Sequence, residues 1–171
     1  MCMPLLKQLV CAETNPQVAF AWEAAQLLCK DREVRARATN QGLSLIAETE
    51  IALGAALRRL RAHYGDSISA APPAVRYDEC PPHTEPVMLV KVKCPARYRG
   101  IIRANLLWRG ASIRALRGYP DSVSITAVAP LRELLGLPDE LAALSANSAT
   151  LHMEFSHFRD LVPDPESPGA A

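Results

Sequence analysis

Between Lys91 and Gly118 the chain reads KVKCPARYRGIIRANLLWRGASIRALRG, with two lysines, six arginines and no Asp or Glu. The protein of 171 residues has a formal net charge of only +1, so the rest of it carries a net negative charge and the positive charge is gathered here. Ammonium and guanidinium groups at this density do one kind of chemistry well. They neutralise phosphate oxygens and release the counterions around a polyanion, and nucleic acid is the commonest such partner. The same residues serve equally as a solvated basic face whose aliphatic stems cover the edge of a core. The candidate RNA-binding residues are Lys91, Lys93, Arg97, Arg99, Arg103, Arg109, Arg114 and Arg117.

Other chemistries find less support. Glu48 and Glu50 are two carboxylates close in sequence, but no His, Lys or nucleophile is placed beside them by pattern, and a preference for acid at a helix N-terminus accounts for them. His83, His152 and His157 are well separated. The five cysteines, Cys2, Cys11, Cys29, Cys80 and Cys94, include no CxxC pair and form neither a metal cluster nor an even disulfide framework, which leaves them as reduced, partly buried thiols. A phosphate-cradling GxxxxGK(S/T) loop does not occur in the sequence. The expectation is therefore a non-enzyme with no catalytic residues, no metal, no cofactor and no GTP site.

These residues must be positioned by a chain of ordinary globular composition, 49% hydrophobic and 22% charged. Its length suits one medium core or two small ones. The longest apolar runs fall far short of the ~20 residues of a membrane span, and the N-terminus lacks the pattern of an export signal, so a soluble cytoplasmic protein is expected. From Val162 the sequence VPDPESPGAA has three prolines and no periodicity and is expected to form a disordered tail over residues 162–171.

The hydrophobic pattern repeats. In the first half a strand (MPLLKQLVCA) precedes a helix (PQVAFAWEAAQLLCK) with Val18, Trp22, Ala25 and Cys29 at helical spacing, Asn15 as N-cap and Pro16 at the first helical position. A hairpin follows (REVRARA, NQG, LSLIAE), then a helix from about Glu50 to Tyr64 stopped by Gly65, then a last strand, DSISAAPPAVRYDE. The second half repeats the order: VMLVKVKC, the helix PARYRGIIRANLLWRG, a hairpin turning at Gly118 to Asp121, a helix or broken helix in PLRELLGLPDELAALS, and TLHMEFSHF. Two βαββαβ units predict an α+β protein of two tandem ferredoxin-like sandwiches. Domains are expected at residues 1–79 and 87–161, with a Pro-rich linker at 80–86, because CPPHTEP cannot be a strand interior. Val75, Met88 and either Trp22 or Trp108 are candidates for the seam.

The second half resembles the fifth, C-terminal domain of the elongation factor G family, which includes the ribosomal protection proteins. The residues that carry the likeness are the EPVM strand opening, the spacing of Tyr98, Gly100 and Gly110, the run from Pro130 through Gly136 to Leu141, and the terminal MEFSHF. The first half resembles the third domain of the same factors in LSLIAETEIALGAALRRLRAHYG and PPAVRYDE. The resemblance covers about Pro4 to Leu161 and joins the two domains without the GTPase and fourth domains. It departs from the family at Ala47 to Gly54, where a Gly-rich GxGELHLE is usual, and at Ala142 to Ser148, where AALSANS replaces a basic loop.

On these elements Arg99 and Arg103 form one stripe of a helix, Arg114 and Arg117 fall in the next strand and turn, and Lys91 and Lys93 share a face of the strand before. The open face of a βαββαβ sheet is a common RNA platform, though usually an aromatic one. The resemblance implies a non-enzymatic, translation-factor-like protein that binds the ribosome or rRNA near the factor-binding site. The alternative is a protein-binding or small-ligand-binding ferredoxin-like module with no ribosomal role.

Overall fold

The computed structural model describes residues 5–13 and 16–161. Asn15 and the tail at 162–171 lie outside the described residues. The first half contains β1 (Leu6–Ala12), α1 (Gln17–Leu27), β2 (Val34–Thr39), β3 (Gly42–Ala47), α2 (Glu50–Tyr64), β4 (Ile68–Ala70) and β5 (Ala74–Val75). The second contains β6 (Thr84–Pro95), α3 (Arg99–Trp108), β7 (Ser112–Gly118), β8 (Ser122–Pro130), α4 (Leu137–Leu144) and β9 (Thr150–Asp160).

Two separate antiparallel sheets result, ordered β2-β3-β1-β4 and β7-β8-β6-β9, with β5 pairing β1. Both are the ferredoxin-like order, in which the first strand of each unit is central and receives the last strand on its outer side. The sequence reason is the alternation. Leu6, Val10 and Ala12 of β1, and Val90, Val92 and Cys94 of β6, are buried on one face, while Lys7, Lys91 and Lys93 are exposed on the other. Each sheet thus has one face under its helices and one open to solvent.

Thr49 caps α2, its side chain accepting from the Ala52 N–H at 3.3 Å, and Gly65 ends it at φ 62°. The expected last strand of the first half is split, because Pro72 and Pro73 cannot donate to a ladder; β4 and β5 are two short pieces on the same edge of β1.

Three expectations are corrected. First, α1 buries Phe20, Ala21, Ala24 and Leu28, not the Val18–Trp22–Ala25–Cys29 stripe; the helix is apolar nearly all round, so spacing alone could not choose its core face. Pro16 precedes this helix as its N-cap and is not its first helical residue. Second, Trp22 and Trp108 are 62% and 82% exposed and take no part in a seam, whereas Val75 and Met88 are buried. Third, Thr84, Glu85 and Pro86, assigned to a linker by their prolines, are the first residues of β6. They pair with Asp160, Arg159 and Phe158 of β9, but β8 joins β6 only at Val87, so Pro86 sits where the strand still has a free side and its missing N–H is tolerated.

The buried side chains of both halves form one continuous cluster. A hydrogen bond also crosses between them: Gly136, left-handed at φ 78° before α4, donates its N–H to Glu50 Oε2 at 2.8 Å. Glu50 is thus more than a helix N-terminal charge. Burial pushes its carboxyl above the usual range, with the Gly136 bond pulling the other way and Asp139 adding repulsion. An acid whose pKa is raised by folding binds protons better folded than unfolded, so its charge opposes folding once the pH exceeds its unfolded value. Glu50→Gln keeps an oxygen for Gly136 and removes the charge. The variant is expected to be at least as stable as the parent at pH 7, with the difference closing as the pH falls to the ordinary carboxylate range; urea melts of both proteins across pH check it.

Candidate nucleic-acid interface

The strand register sets out the open face of the second sheet row by row. Arg117 of β7, Ser124 of β8, Lys93 of β6 and Thr150 of β9 lie side by side. The next row is Ala115, Thr126, Lys91 and His152, and the one after it Ser112, Val128, Leu89 and Glu154. With neighbouring strands about 4.8 Å apart, Arg117 and Lys93 are separated by roughly 10 Å of backbone. The face is basic and rich in hydroxyls. None of the residues in these rows is a Phe, Tyr or Trp, so it offers charge and hydrogen bonds to a backbone and no stacking platform.

One acid intrudes. Glu154 meets Lys91 Nζ at 3.0 Å and lies 3.5 Å from His152 Nε2. The hydrogen bond from Lys91 holds its carboxyl below the usual range, with Lys91 charge and His152 assisting. Lys93 and Arg117 have no ion-pair partner among the described residues. Sequence spacing missed Thr150, His152 and Glu154 because they come from β9, far along the chain. The alternation of that strand, which sets Thr150, His152 and Glu154 two apart, is the signal that would have found them.

The basic block does not form a single patch. α3 packs against the sheet face that carries Val90, Val92 and Cys94, through its buried Ile102 and Leu106. Arg99 and Arg103 are therefore on the helix layer, across the sheet from Lys91 and Lys93. Both are exposed. Arg97 lies over the Tyr98 ring, 4.8 Å from its centroid. Arg114 is exposed at the bulge between Ile113 and Ala115. Arg109 is engaged inside the fold. Its Nη1 donates to the carbonyls of Glu133 at 2.7 Å and Leu135 at 2.9 Å, and its Nε and Nη2 bind Glu140, tying the end of α3 to the turn before α4. That contact holds the Glu140 carboxyl below the usual range.

The outward side of α3 is apolar: Ile101, Leu107 and Trp108 are 48%, 44% and 82% exposed. Among the described residues there is no group of His, Cys, Asp and Glu that could hold a metal ion, and none of the four described cysteines is in a disulfide. No helix among the described residues is long and apolar enough to cross a membrane.

Comparison with known proteins agrees with this second half. Residues 83–167 match the family model described as elongation factor G C-terminus. Elongation factor G 1 of Geobacter sulfurreducens is 32% identical over 81 residues, 47% of this chain and 12% of that protein. Elongation factor G of Thermotoga neapolitana is 35% identical over 77 residues, 45% of this chain and 11% of that one. The mitochondrial elongation factor G of Drosophila grimshawi is 29% identical over 80 residues, with 47% and 11% covered. The chain thus matches about a tenth of the length of these relatives. A crystal structure of a protein from Thermus thermophilus superposes with a TM-score of 0.65 over 94% of this chain and 41% of that one; at 14% identity the likeness is one of fold. The second half is similar to the C-terminal domain of elongation factor G.

Proposed function

We propose that this protein is translation-factor-like and docks on the ribosome, or on ribosomal RNA near the factor-binding site, without itself hydrolysing nucleotide. The observation that carries the reading is the match of residues 83–167 to the elongation factor G C-terminus. In this reading the first half corresponds to the third domain of those factors, and the protein works in the cytoplasm. The open face of the second sheet supplies the physical means. Lys93 and Arg117 stand ready for phosphate oxygens, and Lys91 exchanges an exposed carboxylate for one, an exchange that costs little at a solvated surface. Arg97, Arg99, Arg103 and Arg114 extend the contact around the edge and onto the helix layer, while Arg109 stays in its internal bonds.

Sedimentation with purified ribosomes tests this. The parent pellets with ribosomes at about 50 mM salt and largely remains in the supernatant at about 200 mM, as phosphate contacts require. Lys93→Gln with Arg117→Gln weakens binding and flattens log K against log salt by about 1.4 to 1.8, two phosphate contacts at roughly 0.7 to 0.9 each. Association unmoved by salt refutes the reading.

A second reading, a protein-binding module, is favoured by Trp108, 82% exposed at the end of α3 on the same face as Ile101. An exposed Trp is a common anchor of protein interfaces. It predicts a salt-tolerant partner lost on Trp108→Ala.

A further inference from the structure

The geometry points to a second RNA-backbone-binding face, in the first half of the chain, on the open side of the first sheet. Its cations are Lys7, Arg35 and Arg37. The register puts Arg35 of β2, Ile46 of β3, Lys7 of β1 and Ala74 of β5 in one row, and Arg37, Ser44 and Leu9 in the next. All three cations are exposed. None of the strands β1 to β5 contains an Asp or Glu; the acids in register with this face, Glu33 and Glu48, stand just past the strand ends, one row beyond Arg35 and Ile46. Arg35 and Arg37 make no ion pair among the described residues, and Asp78, which feels Lys7, is held by Arg76 at 2.9 Å. The second sheet, by contrast, sets Glu154 against Lys91.

Strand pairing gains nothing from this arrangement. A sheet gains from opposite charges across strands, whereas like charges gathered on one face repel one another. The aliphatic stems of Arg35 and Lys7 account for the covering of Ile46, 8% exposed between them, but stems cover equally well with acids nearby. β2 is an edge strand, where cations also discourage pairing with another chain. That explanation reaches Arg35 and Arg37; it does not reach Lys7 on the central strand. One of the cations, Lys7, lines a groove of 540 Å³ between the β2–β3 turn and the loop before β5, together with Leu9, Asn40, Gln41, Ser44 and Pro72. The groove lies within the size range of small-molecule sites and offers amide and hydroxyl groups beside Lys7, the pairing an RNA strand needs for backbone and base.

This inference goes beyond the reading above, since it concerns different strands and stands whether or not Lys93 and Arg117 bind RNA. Its test uses the full chain, a fluorescein-labelled 12-nucleotide oligouridylate and fluorescence anisotropy over a salt series. One variant carries Lys7→Gln, Arg35→Gln and Arg37→Gln, the other Lys93→Gln and Arg117→Gln; glutamine keeps the stem over Ile46, and circular dichroism confirms folding. The triple variant is expected to lose about 2 from the slope of log K against log salt, three contacts at roughly 0.7 each on a single strand. The parent's advantage over it then shrinks about 20-fold between 50 and 200 mM salt. An unchanged slope in the triple variant overturns the inference, whether the double variant changes or not. A parent that fails to bind the oligonucleotide overturns it too. A triple variant that self-associates yet binds RNA as before assigns the arginines to edge protection and overturns it as well. Competition by an oligoglutamate of equal charge as strong as by unlabelled RNA assigns the face to an acidic protein segment and overturns the RNA assignment.

Discussion

Replacing Gly42 by alanine is expected to cost about 3 kcal/mol and lower the melting temperature by roughly 6–12 °C. Gly42 opens β3 immediately after the turn from β2, at φ 136°, a backbone region that L side chains rarely adopt. The position is also crowded. A Cβ there would stand 2.5 Å from the Val10 carbonyl oxygen and 3.3 Å from Cys11 Sγ. The first obstacle is backbone of β1, the central strand of the sheet, which cannot step aside without disturbing the Val10–Leu43 register. Thr39 Oγ1 donates to the Gly42 carbonyl at 2.7 Å and fixes the turn from the other side. Gly100 on α3 is the control: its φ is ordinary and nothing lies within 4 Å of its missing Cβ, so Gly100→Ala should leave stability unchanged or raise it by up to about 1 kcal/mol. Thermal melts of the two variants distinguish a steric glycine from a permissive one.

The second large effect is expected at Glu85. Its side chain is only 1% exposed, at the start of β6, and it is held from two sides. Arg159 of β9 presents Nε at 2.9 Å and Nη2 at 2.8 Å to Oε1, and Arg132, from the turn after β8, brings Nε to 3.2 Å from Oε2. The arginines are each 42% exposed and can return to water; the carboxylate cannot. Arg132→Ala with Arg159→Ala is therefore expected to destabilise the protein by about 3–5 kcal/mol, the cost of a buried charge left without partners. Adding Glu85→Leu to that background should recover most of the loss, because the apolar side chain needs no partner. Chemical denaturation of the double and triple variants measures both numbers. A double variant as stable as the parent would mean that water reaches Glu85.

Strand alternation and glycine stops made most of the fold readable. Lys91 and Lys93 two apart, with Val90, Val92 and Cys94 between and beside them, are enough to predict a strand with one wet face. Gly65 and Gly110 stand where helices must stop. The misreadings have physical causes. α1 carries apolar residues on both sides, and only the docking of Phe20 and Leu28 against the sheet selects the inner one. Pro86 looks like a breaker in sequence, but β6 pairs with β8 only from Val87 onward. The candidate site was harder to see, because a block of charge in sequence need not be a patch in space. The chain crosses the sheet between Lys93 and Arg99, so a continuous run is divided between two surfaces, with Arg109 drawn into the fold. Conversely Arg35 and Arg37 show in VRAR only the alternation of a strand; Lys7, twenty-eight residues before Arg35 and on another strand, completes the face.

The central claim is that the second half docks where the C-terminal domain of elongation factor G docks. Competition on purified ribosomes addresses it most directly. The fluorescently labelled chain is bound to ribosomes at about 50 mM salt, where phosphate contacts are strong, and unlabelled elongation factor G is titrated in with a non-hydrolysable GTP analogue. Displacement of the labelled chain in step with occupancy by the factor is the predicted result. A chain that stays bound while the factor saturates, or that never binds the ribosome, contradicts the account.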